Sequence, residues 1–113
     1  MENIPEAITF EKVKPAIDEI TIPEEFIKDF HWSNDNHLMI ILRVIGQDSG
    51  KVKDFFENSE KDTFILKIIG KSNQSTSEKY VLTSMYLDEG PPISVDINLE
   101  MPMVRTILDF KKR

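Results

Sequence analysis

The chain of 113 residues contains no cysteine. Disulfides, thiolate metal sites and cysteine nucleophiles are therefore excluded, and the composition fits a reducing compartment. The two histidines, His31 and His37, stand six apart around a polar turn. No helix or strand spacing makes them converge with Asp35 on a metal, so surface histidines are expected. No apolar run approaches the roughly 20 residues of a membrane span; the most apolar stretch, Leu38 to Ile45, has eight. The N-terminus lacks a basic region followed by an apolar one, and no signal peptide is expected. An excess of positive charge is missing too. The net charge is −6, of which residues 1–30 carry −5. Specific nucleic-acid binding, which needs a concentrated basic face, is not expected. Lys111-Lys112-Arg113 is too short to reverse that balance and reads as a solubilising tail.

What is present describes one small α+β domain. In His37 to Gly46, Leu38, Ile40, Leu42 and Val44 share one strand face, and Met39, Ile41, Arg43 and Ile45 share the other. Both faces are largely apolar, which predicts a strand covered on both sides. Gly46 to Gly50 breaks it, with Asp48 or Ser49 available as a helix cap. Lys51 to Ser59 then places Val52, Phe55, Phe56 and Ser59 on one helical face. Thr63 to Ile69 returns as a strand, Lys71 to Glu78 reads as a polar hairpin tip, and Lys79 to Leu87 as a further strand. Asp88-Glu89-Gly90-Pro91-Pro92 reads as a terminator. Ile93 to Glu100 alternates cleanly, with Ile93, Val95, Ile97 and Leu99 on a dry face and Ser94, Asp96, Asn98 and Glu100 on a wet one. Pro102 suggests an edge or bulge, and Met103 to Phe110 forms the last strand.

Residues 1–32 read as an acidic arm, broken by Pro5 and Pro15, with Ile4, Ile8, Phe10, Val13, Ile17, Ile20 and Ile22 too apolar for a disordered tail. Pro23 to Phe30 reads as a short helix: proline at its first position, Glu24 and Glu25 at its positive end, and Phe26, Ile27 and Phe30 on its apolar side. Trp32 either covers the core or anchors an interface. Residues 33–113 form the β-rich core of the same folding unit. The expected architecture is a mostly antiparallel β sandwich or open barrel, with one short helix packed on it and a second near the N-terminus.

The chemical motifs are weak. Gly46-Gln47-Asp48-Ser49-Gly50-Lys51-Val52 has three residues between its glycines and no hydroxyl after the lysine, so it departs from a phosphate-binding loop. Asn34-Asp35-Asn36 has too few carboxylates for a twelve-residue calcium loop. Asp88-Glu89 and the Asp96, Glu100 pair read as solvated acids rather than a glycosidase pair. Nothing resembles a nucleophile elbow. No catalytic residue, metal or cofactor is expected. The candidate sites are a protein interface at Phe26, Phe30, Trp32, Met101 and Met103, and the acidic face of Ser94, Asp96, Asn98 and Glu100.

The order of elements carries a resemblance: the strand at 38–45, the helix with Phe55-Phe56, the strand at 63–69, a polar tip, the strand at 80–87, the Gly90-Pro91-Pro92-Ile93 turn and two closing strands. Over about residues 37–110 the pattern resembles the tail-tube and baseplate-tube proteins of contractile bacteriophages and related injection systems. That resemblance implies a structural subunit without catalytic residues, forming homo-oligomeric six-fold rings that stack into a tube, in the host cytoplasm and the virion. It further implies that the acidic face lines a lumen and repels DNA phosphates. The competing reading is a small acidic regulatory or inhibitory domain that binds protein through residues 1–32.

Overall fold

The computed structural model describes residues 4–13, 18–33 and 36–113. Pro15, Ile17, Asn34 and Asp35, named above, lie outside them. The strands are β1 (Ala7–Lys12), β2 (Asp18–Pro23), β3 (Ile27–Trp32), β4 (His37–Ile45), β5 (Thr63–Ile69), β6 (Ser75–Asp96) and β7 (Leu99–Lys112). The helix α1 (Asp48–Phe56) joins β4 to β5. All strands pair antiparallel in one seven-stranded sheet of order β2-β1-β5-β6-β7-β4-β3.

The connection between β2 and β3 shows how far this sheet curls. They are its two outermost strands, yet only the 3₁₀ turn Glu24–Phe26 separates them. Laid flat, seven strands would hold their edges about 29 Å apart at roughly 4.8 Å per gap. Four Cα steps reach at most about 15 Å. The sheet must therefore bend until its edges approach. Aromatic contacts agree: Phe10 on β1 and Phe110 on β7 stack at 6.0 Å although two strands lie between them.

The concave side holds a single core. Ile8, Phe10, Leu38, Ile40, Leu42, Val44, Phe64, Leu66, Leu82, Leu108 and Phe110 are fully buried there. Helix α1 supplies Val52, Phe55 and Phe56, and Phe56 meets Phe10 edge-on at 5.1 Å. Burying each phenylalanine contributes about 1.5–3 kcal/mol, which holds a nine-residue helix too short to stand alone in water.

Several local expectations are corrected. Helix α1 begins earlier than Lys51 and stops at Phe56. Neither Asp48 nor Ser49 caps it; Gln47 occupies the cap position without a side-chain bond, and Ser49 Oγ donates to the Gly46 carbonyl at 2.7 Å. Extended Glu57 and left-handed Asn58 end the helix. Ser59 still faces the core, its hydroxyl donating to the Phe55 carbonyl at 3.1 Å. Pro23 to Phe30 is not a helix. After the 3₁₀ turn the chain enters β3, whose register shifts between Ile27 and Asp29. That bulge turns Ile27 and Phe30 inward together at a spacing of three, which imitates a helical pattern. On β4 only one face is sealed; Met39, Ile41, Arg43 and Ile45 are half-buried on the convex side. The N-terminal segment contributes β1, β2 and β3, with Ile8, Phe10, Ile22, Ile27 and Phe30 in the common core.

Candidate functional site

Strand β6 runs 22 residues, but β5 accompanies it only from Ser75 to Val81. Strand β7 runs beside β4 only as far as Met103. Beyond the Gly90–Met103 pair, no further strand among the described residues pairs with β6 or β7, so the sheet continues as a two-stranded ribbon. Gly90, Pro91 and Pro92 do not end the strand. They form a register shift, with Pro91 and Pro92 opposite Pro102. Proline cannot donate to the ladder, so pairing skips this level and resumes at Ile93 with Met101.

The alternating segment from Ile93 to Glu100 is not one strand. It reverses at Ile97-Asn98, which leaves Ser94 opposite Glu100 and Asp96 opposite Leu99. Neither turn residue has a positive φ, so this is not the primed turn that two-residue hairpins favour. A second register shift at Val95 accompanies it. The expected dry and wet faces do not form. Val95, Ile97 and Leu99 are 57%, 92% and 49% exposed, and Ser94, Asp96, Asn98 and Glu100 are exposed beside them.

The base of the ribbon is held firmly. The Gly46 amide donates to the Pro102 carbonyl at 2.8 Å. Met101 packs against Gly46, and Met103 is buried against Gly90, where a Cβ would fall 2.1 Å from the Met103 Cε. Arg105 Nη2 donates to Asp88 Oδ2 at 2.7 Å, and Lys53 of α1 pairs with Glu89. The hydrogen bond and charge of Glu89 raise the Lys53 pKa above its ordinary value.

The expected interface residues do not form one surface. Phe30 and Met103 are buried, Phe26 is half-buried against the core, and Met101 belongs to the ribbon base. Trp32 is 47% exposed on edge strand β3, tilted against Tyr80 at 6.1 Å between ring centres. Burial, with the negative charge of Glu78, pushes the Tyr80 phenol up to about 12. His31 and His37 serve separate carboxylates, Asp29 at 3.1 Å and Asp109 at 3.0 Å. No cluster of three metal-ligating side chains occurs among the described residues. No helix among them is long and apolar enough to cross a membrane.

A feature not drawn from the sequence lies on the convex face. Cross-strand register aligns Tyr86, Ile107 and Ile41 in one row, and Asp88, Arg105 and Arg43 in the next. With Lys28, and without Asp88, these side chains line a shallow cleft. Its residues come from four strands, so only the pairing register reveals it. Comparison with protein-family models, with curated proteins and with solved structures returns no match.

Proposed function

We propose that this protein is a non-enzymatic assembly subunit that docks onto another protein through its projecting hairpin. The exposed apolar tip, Val95, Ile97 and Leu99 on a firmly held base, carries this reading. Large apolar side chains at a projecting tip favour burial against a partner. The curled sheet, read as an open barrel with one helix on it, suits a subunit of the kind found in phage tails and baseplates. Placing a photo-reactive benzoylphenylalanine at Ile97 tests the docking reading in the cells that make the protein, with the same group at exposed Glu60 as control. A discrete protein adduct from position 97 and none from position 60 is the expected result. Equal, diffuse labelling from both positions overturns the reading.

A further inference from the structure

The tip and the convex cleft have complementary chemistry. From Tyr80 to Val104 the chain has no lysine or arginine and four acids. Asp88 and Glu89 are neutralised at the base by Arg105 and Lys53. Asp96 and Glu100 make no ion pair among the described residues and flank the apolar tip. The cleft has the opposite character. Arg43 lies directly across from Arg105 in the β4–β7 register. Like charges so placed destabilise a sheet. Asp88 relieves Arg105, while Arg43 has no ion-pair partner among the described residues. Lys28 adds a further cation at the rim, and among the described residues its ammonium donates to the Glu25 carbonyl alone, at 3.3 Å. Two further carboxylates lie near these rows: Asp29 sits opposite Ile41 and is held by His31 and the Phe30 amide, and Asp109 sits opposite Met39 and is held by His37. Between these charges lie Tyr86, 56% exposed, and Ile107, 39% exposed.

A molecule cannot satisfy its own cleft. Eight residues of β7 separate the tip from Ile107, about 27 Å at roughly 3.4 Å per residue, along a paired ribbon. We propose that the hairpin tip of one copy docks in the convex cleft of a second copy. Ile97, Val95 and Leu99 cover Tyr86, Ile107 and Ile41, while Asp96 and Glu100 meet Arg43 and Lys28. This rests on the docking reading above and supplies its partner. The two surfaces differ, so the contact is head-to-tail, and repetition gives a ring if the rotation closes and a filament if it does not.

Sedimentation velocity on the full chain, from micromolar to millimolar concentration, tests this with Ile97→Asp at the tip and Arg43→Glu in the cleft. The wild type is expected to grow past the dimer, and each variant alone to remain monomeric. An equal mixture has one competent tip and one competent cleft, so it forms one-to-one dimers and nothing larger. Urea unfolding checks that both variants are folded, and Tyr86→Ser replaces Arg43→Glu if the latter is not. Variants that associate like the wild type, or a mixture that stays monomeric, overturn the proposal. A monomeric wild type also overturns it. If residue 97 still yields a discrete adduct with a different protein, the docking reading survives; if it yields none, both fall.

Discussion

Gly46 and Gly50 stand four residues apart on either side of the α1 N-terminus and have opposite requirements. Gly46 has φ +98°, and a Cβ there would lie 3.2 Å from the Met101 Cε. Strained backbone of this kind costs about 1–3 kcal/mol for a residue with a side chain. Gly50 lies within the helix with open space around its Cα. Alanine there gains about 0.4–1 kcal/mol, chiefly by restricting the unfolded chain. Urea unfolding should therefore show Gly46→Ala less stable and Gly50→Ala more stable than the wild type. Tyr80 sets an alkaline limit in the same protein. Its phenol is raised to about 12, above the ordinary 10 of the unfolded chain. Its contribution is complete below pH 10 and is lost as pH rises toward 12. Tyr80→Phe should flatten the fall in stability across that window, measured by urea unfolding at stepped pH.

Among the elements, the ribbon differs from the others in having no core residue beyond Met103. Replacing Ser94 to Glu100 with a tight Asn-Gly turn should leave the thermal midpoint within a few degrees of the wild type, since surface changes fall within about ±0.5 kcal/mol. A collapse of the melting transition on circular dichroism would show that the tip supports the fold. This element was also the least legible in the sequence. Alternation through Ile93, Val95, Ile97 and Leu99 continues unbroken across the reversal at Ile97-Asn98, so period-two reasoning sees one strand where there are two. Gly90-Pro91-Pro92 looked like a stop because proline cannot pair, but Pro102 on the opposite strand lets both strands skip the same level. Strands β4 and β5 and the apolar face of α1 were legible because their buried residues follow one undisturbed period. Strand β3 was not, because its bulge changes the spacing.

At the scale of the whole molecule, the ribbon accounts for the elongated shape. The radius of gyration is 14.2 Å, with extents of 46 × 33 × 24 Å, against about 13 Å for a compact domain of this length. The curled sheet and its helix form the body, and the β6–β7 ribbon carries the acidic, apolar tip beyond it. The cleft was invisible in the sequence because Lys28, Ile41, Tyr86 and Arg105 meet only through the order of strands in the sheet. Amide hydrogen exchange on the full chain tests the account most directly, comparing the dilute protein with its complex, whether that holds further copies or the partner captured at residue 97. Protection gained on association should concentrate between Ser94 and Glu100, with β1 and β2 unchanged. Protection gained on β2 and absent from the hairpin would contradict it.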